Sequence, residues 1–310
     1  MFGNRKDGTK VKMMDPLIRV VPHVMKERND SQNHYLIETR VEVLDNFIQK
    51  QRENGVSLSY LHIIIATLVR VFKERPELNR FVMNGRTYQR DYFTVSMTVK
   101  KVLKDDGAET TVKIPFRGDE NIFKVKEIID NIVLEAQKPE VTSRSIDLAL
   151  KFFASLPNWF LKLSIGFLKW CDKMGYLPAS IVGKYGFSPF HTSIFITNLK
   201  SIKLDYLYHH LYDFGTTGLF ISIGKEKLQP VVNQDTGELE VGKILKMGFV
   251  SDERFVDGLY YANTLKLMRK YLENPELLLE NPNTFTPTKK EIKQDKAYNK
   301  KLAKKNKRQK

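Results

Sequence analysis

A chain of 310 residues with 42% hydrophobic and 28% charged side chains can bury a large core, and no Gly-, Pro- or Ser-rich linker divides it, so one large domain with tails is expected. The single Cys171 excludes an internal disulfide, lies among apolar and aromatic residues without an activating partner, and, with no signal peptide in the sequence, points to a reducing cytoplasm. The net charge of +15 is mostly a tail property, because Lys289 to Lys310 holds eleven basic and two acidic residues; the run has no aromatic interleaving beyond the lone Tyr298 and no nucleic-acid motif, so it reads as a disordered or frayed helical extension (289–310) to a main domain (1–288), with no nucleic-acid partner expected.

Met1 to Met25 mixes charges with Pro16 and Pro22 and gives no periodic signal. Tyr35 to Val43 alternates as a half-buried strand, and a short helix with Asp45 as its cap should end near Asn54-Gly55. Ser59 is placed to cap a core helix that presents Leu61, Ile64, Ile65, Leu68, Val71 and Phe72 and stops before Pro76. His62 within it reads as a satisfied core or flank histidine. Two hairpins follow, one turning at Asn84-Gly85 and one at Asp106-Gly107 between strands over 92–102 and 110–116. A packing helix is expected from Asp119 to Ala136.

Residues 146–174 are strongly apolar, but Lys151, Pro157, Lys162 and Lys169 interrupt them, leaving no uncharged stretch of the roughly 18 to 20 residues that a membrane span needs. Two amphipathic helices broken at Pro157 fit the pattern. Core or interface packing, a groove for an acyl group or partner, and membrane-surface contact all remain open for them. Thr192 to Leu199 is strand-like, Leu204 to Tyr212 is expected to be helical, and Gly218 to Gly224 is another strand. His209-His210 on that expected helix reads as a surface pair, since adjacent residues diverge on a helix and a metal needs more ligands. Thr236-Gly237 turns a hairpin into the strand Ile244 to Val250, and Leu259 to Leu272 has helical spacing behind Asp257 as its cap.

Between that last strand and helix lies Ser251-Asp252-Glu253-Arg254-Phe255-Val256-Asp257-Gly258, a crowd of charges in a strand-to-helix turn. Spacing alone allows a solvated cap with one surface ion pair. The segment Asp252 to Gly258 also resembles the Asp-His-Arg-x-x-Asp-Gly signature of the acyltransferase component of 2-oxoacid dehydrogenase complexes, and its chloramphenicol acetyltransferase relatives. Glu253 stands at the family's histidine. Thr192 to Leu199 is similar to the family's Thr-Phe-Thr-Ile-Ser-Asn-Leu-Gly, with Thr197 at the hydroxyl position, Asn198 beside it and Lys200 in place of glycine. Pro76-Glu77-Leu78-Asn79, the lead-in Pro22 to Arg28 and Leu272 to Leu278 extend the likeness over about residues 19–278, weakest at about 141–189.

The resemblance implies an α/β fold, a chloramphenicol acetyltransferase-like mixed sheet packed by helices as a two-layer sandwich, assembled as a homotrimer. It implies coenzyme A as acyl carrier, no metal, and a lipoyl-domain protein as partner; Asp295-Lys296-Ala297 matches a lipoylation tripeptide but lacks its small β-domain, so no lipoate is expected on this chain. By position, Thr197 would donate to the oxyanion and Glu253 would stand as the base. Asp257 completes the catalytic motif, Asn198 and Arg254 contact substrate or support the site, and one site draws Thr197 and Glu253 from different subunits. A glutamate is a weak acceptor for a thiol proton: reference values of about 4.3 and about 8.5 make the transfer uphill by roughly 5 to 6 kcal/mol, unless burial raises the carboxyl. Two readings follow, an acyltransferase with altered chemistry and an inactive scaffold or regulatory subunit.

Overall fold

The longest strand, β10 (Leu239–Asp252), organises the main sheet of the computed structural model, which describes residues 5–12, 15–100, 109–137, 155–233, 235–282 and 289–307. The strand order is β2 (Gln32–Arg40), β10, β8 (Leu219–Ile223), β7 (Ile194–Asn198), β5 (Phe93–Lys100) and β6 (Glu109–Phe116), with β9 (Lys227–Val232) paired to the first half of β10. β7 runs parallel to both neighbours and the other pairs are antiparallel. A small second sheet joins β1 (Gly8–Lys10), β4 (Arg86–Arg90) and β3 (Arg80–Met83). The expected Asn84-Gly85 turn closes β3 onto β4, both residues at positive φ (52° and 66°), as a two-residue hairpin requires. The Asp106-Gly107 turn lies outside the described residues.

One face of the main sheet is covered by the helices Glu42–Glu53, Tyr60–Glu74, Ile122–Gln137 and Gly258–Glu273. Tyr60–Glu74 is the central one: apart from Leu61, every residue from Tyr60 to Phe72 is buried, so its apolar stripe has widened to the whole surface. Its N-terminus is a capping box in which Ser59 Oγ accepts from the His62 amide and the Ser59 amide donates to His62 Nδ1. With Nδ1 accepting, Nε2 carries the proton and faces Asp130 at 3.2 Å. His62 is therefore a satisfied flank histidine, as its sequence setting suggested. Its carboxylate partner comes from another helix.

The opposite face is where the chain departs from expectation. Leu204 to Tyr212 forms no helix; it lies extended across β8 and β10. Ser222 Oγ accepts from the Leu207 amide (3.3 Å) and donates to the Leu207 carbonyl, and the Lys225 amide donates to the Leu204 carbonyl (2.8 Å). Two glycines allow this approach. A Cβ on Gly248 would stand 2.5 Å from the Leu207 oxygen, and one on Gly224 would stand 2.5 Å from the Tyr206 nitrogen. The backbone hydrogen bonds of this segment go to the sheet rather than to a helical turn. Phe195, Phe220, Val250 and Leu211 close over as a small second core beneath it.

The ends of the chain are also tied in. Residues 1–25, without a periodic signal, supply β1 and the helix Pro16–Val24. The buried Arg5 bridges Asp7 (2.8 Å) and Asp172 (2.8 Å), and His191 Nε2 reaches the other Asp172 oxygen at 3.0 Å while Ser188 Oγ meets His191 Nδ1 at 2.7 Å. The basic tail forms the helix Lys289–Lys307, anchored where Asp295 meets Lys184 and Tyr185 and where Tyr298 stacks on Tyr185 (ring centroids 4.0 Å). Asp295, the first residue of the lipoylation-like tripeptide, is thus a structural contact.

Pro157 precedes the helix Asn158–Met174, as expected, while 138–154 lie outside the described residues. Its apolar face is not in the core: Trp159, Leu163 and Phe167 are each more than 60% exposed. Among the described residues no helix is long and apolar enough to cross a membrane.

Candidate active site

The charged turn is built by β10 ending against the N-terminal region. Asp252 is fully buried and holds Arg254 in a fork, Nε to Oδ1 at 2.8 Å and Nη2 to Oδ2 at 2.7 Å, while Arg28 Nε lies 3.5 Å from Oδ2. Arg254 Nη1 also donates to the Lys26 carbonyl at 3.0 Å. Burial lowers the affinity of the Arg28 guanidinium for its proton, with Asp252 opposing. The ion pair that spacing placed at the surface is instead an internal lock, and such bidentate pairing fixes geometry. Phe255, fully buried against Val82 and Val256, plugs the turn, and Gly218 leaves room for its ring. Asp257 is exposed and caps Gly258–Glu273, its Oδ1 accepting from the Tyr260 amide at 2.7 Å.

Glu253 is the one acidic residue of this turn whose carboxylate is not spent on the turn itself. It is half-buried, and Oε2 accepts from Asn33 Nδ2 at 2.8 Å. Arg254 borders a separate cavity of about 340 Å³ with Pro22, His23 and Arg28, but its nitrogens are directed at Asp252 and the Lys26 carbonyl.

Thr197 and Asn198 sit at the C-terminal end of β7, at the wall of a cavity of about 590 Å³. Met97 and Val99 from β5, Phe195 and Phe220 make its lining largely apolar, and Asn198 Oδ1 is buried there without a hydrogen-bond partner among the described residues. An unpaired buried acceptor costs about 1–3 kcal/mol, and a donor on a bound molecule would recover it.

These two groups of residues do not meet within one chain. Thr197 pairs with Ser222, which pairs with Gly248, whereas Glu253 lies five residues beyond Gly248, just past the end of β10. At about 3.3 Å per residue and about 4.8 Å per strand, Thr197 and Glu253 are roughly 20 Å apart, at opposite ends of the sheet.

The Thr197 cavity holds one titratable residue that the sequence had assigned to a helix surface. His209 lines it, stacked on Phe220 with ring centroids 4.0 Å apart, and its Nδ1 lies 3.3 Å from the His210 carbonyl. Burial lowers the imidazole pKa, so the ring is neutral near pH 7. The sequence signals that could have found it are Gly224 and Gly248, the glycines that let its segment lie on the sheet.

Residues 215–280 match the family model of the 2-oxoacid dehydrogenases acyltransferase (catalytic domain). The chain is similar to the cubic core of the pyruvate dehydrogenase multienzyme complex (TM-score 0.54, 14% identity, covering 87% of this chain and 94% of that one). It is also similar to a probable dihydrolipoamide acetyltransferase from Listeria monocytogenes (0.54, 13%, covering 91% and 99%). A third similar structure is the dihydrolipoamide acetyltransferase of Azotobacter vinelandii, studied for the roles of a serine, a histidine and an asparagine in its catalytic mechanism (0.55, 14%, covering 87% and 94%). No curated protein matches. The expected mixed sheet packed by helices is therefore the fold of these acyltransferase cores.

Proposed function

We propose that this chain, which resembles the catalytic domain of the 2-oxoacid dehydrogenase acyltransferases in fold and over residues 215–280, is a coenzyme A-dependent acyltransferase acting on a dihydrolipoyl thiol or another small acceptor. The observation that carries this reading is the Thr197 cavity, where a hydroxyl and the unpaired Asn198 Oδ1 meet an apolar wall large enough for an acyl group and a thiol-bearing arm. A hydroxyl held at a strand end stabilises the oxyanion that appears only in the transition state. The separation of Thr197 from Glu253 supports a homotrimer in which a neighbouring subunit brings its own turn to this cavity. Acyl-coenzyme A and a lipoyl-domain protein are the partners of this reading.

The locked turn has a defined place in it. Asp252, Arg254 and Arg28 hold the end of β10, Asp257 starts the next helix, and Glu253 is presented between them. The second reading, an inactive trimeric scaffold or regulatory subunit, is favoured by one observation: the Glu253 carboxylate is spent on a hydrogen bond from Asn33, and no histidine stands in its place in the turn.

The test is turnover of acetyl- and propionyl-coenzyme A with dihydrolipoamide by the purified chain. Turnover above background that falls about 10²- to 10³-fold in Thr197→Val is the expected result. Absence of turnover in the wild type, with activity gained by Glu253→His, would establish the scaffold reading. A ligand at 100 times its Kd stabilises by about 2.7 kcal/mol, so free coenzyme A should raise the melting temperature of either form that keeps the channel.

A further inference from the structure

We propose that His209 is the general base at the Thr197 cavity, taking over the task for which Glu253 is chemically ill suited; this assignment rests on the acyltransferase reading above. Three observations carry it. His209, Thr197 and Asn198 line the same cavity. Phe220, on which the imidazole stacks, pairs with Phe195, and Thr197 follows two residues later on the same face of β7. By ordinary strand spacing Thr197 and Phe220 lie about 8 Å apart, which leaves room for a thioester between the ring and the hydroxyl.

The third observation concerns the tautomer. His209 Nδ1 faces the His210 carbonyl, an acceptor only, so Nδ1 carries the proton and Nε2 holds the lone pair. Nε2 has no protein partner among the described residues. Stacking on Phe220, and the hydrogen bonds that pin Leu207 to Ser222, hold the ring in place, as a base held for proton transfer requires. The groups facing the ring are His210, Tyr212 and Phe220, none of them an acid. The reference imidazole value of about 6.5 lies between those of a glutamate and a thiol, and burial holds His209 below it.

The step balances without another reagent. Nε2 takes the proton of the acceptor thiol as its sulfur bonds to the thioester carbonyl carbon, and the oxyanion accepts from the Thr197 hydroxyl. The intermediate then collapses, breaking the bond between that carbon and the coenzyme A sulfur. The proton on Nε2 passes to the departing thiolate, restoring neutral His209. The same residues serve the reverse transfer.

The experiment compares the full-length wild type with His209→Gln, His209→Ala, His210→Gln and Glu253→Gln, using acetyl-coenzyme A and dihydrolipoamide and following kcat and melting temperature. Removing a general base lowers kcat about 10²- to 10⁴-fold, and that loss is expected for His209→Gln and not for His210→Gln. Added imidazole is expected to restore part of the activity of His209→Ala, an effect that loss of folding would not give. Retained kcat in His209→Gln, or loss in Glu253→Gln alone, would overturn the assignment to His209 while leaving the acyltransferase reading intact. A wild type without turnover on any acyl-coenzyme A would overturn both.

Discussion

Glu253 and His209 show how differently a sequence position and a spatial position inform on chemistry. The motif Asp252 to Gly258 places Glu253 where a family histidine is expected, and the structure gives its neighbours firm structural tasks: Arg254 and Asp252 lock each other, and Asp257 caps a helix. Loss of that cap in Asp257→Ala should cost about 0.5–2 kcal/mol in chemical denaturation, with no effect on the fold. His209 belongs to no motif of the family, and its histidine pair reads from the sequence as a helix-surface pair. Its meaning comes from the cavity it shares with Thr197 and Asn198. Asn198→Ala removes the unpaired buried acceptor, so the free protein should be no less stable, while its affinity for acyl-coenzyme A, followed by calorimetry, should fall.

The segment Leu204 to Tyr212 was expected to be a helix because its apolar residues can be read at helical spacing, and it is instead a strap across the sheet. Periodicity reports which residues face an apolar environment, but an extended segment with alternating contacts meets part of the same pattern. Gly248 decides between the two, because its missing Cβ admits the Leu207 carbonyl. Gly248→Ala should displace the strap and lower stability by about 1–3 kcal/mol, and limited proteolysis should then cut within 204–212. The helix Asn158–Met174 gave a clearer signal, with Pro157 at its start and Gly175 (φ 77°) at its end. Its apolar face lies at the surface of this chain, which the sequence alone could not distinguish from core packing.

Across the molecule, a buried polar chain joins residues far apart in sequence: Asp7, Arg5, Asp172, His191 and Ser188. Its serine, histidine and carboxylate are sealed from solvent, so the group ties the N-terminus, the helix end at Asp172 and the loop before β7 together rather than catalysing. Burial holds the His191 pKa below its usual value despite Asp172, whereas burial pushes Asp172 upward and is outweighed by His191 and Arg5. Both groups are therefore depressed in the folded state. Their contribution to stability is present above their unfolded pKa values and is lost as pH falls, for His191 below about 6.5 and for Asp172 below about 3.9. The melting temperature should thus decline from pH 7 to pH 5, and less so in His191→Gln. Removing one partner leaves buried charge uncompensated, so Asp172→Ala should cost about 3–5 kcal/mol.

What the sequence determined by itself was local and periodic: the strand through Tyr35, which ends at Arg40 rather than Val43 because the helix Glu42–Glu53 begins behind Val41 with Asp45 inside its first turn instead of capping it, the capped helix after Ser59, the Asn84-Gly85 hairpin, the cap at Asp257, and the two motif strands that carry the family likeness. These follow from alternation, helical spacing and turn chemistry, whose causes lie within a few residues. Only the tertiary structure decided that Thr197 and Glu253 stand at opposite ends of one sheet, that the Asp252–Arg254 pair is buried, that the basic tail docks through Asp295, and that His209 lines the same cavity as Thr197. Each of these depends on strand order or on a close approach at a glycine, and neither is encoded in the spacing of neighbouring residues.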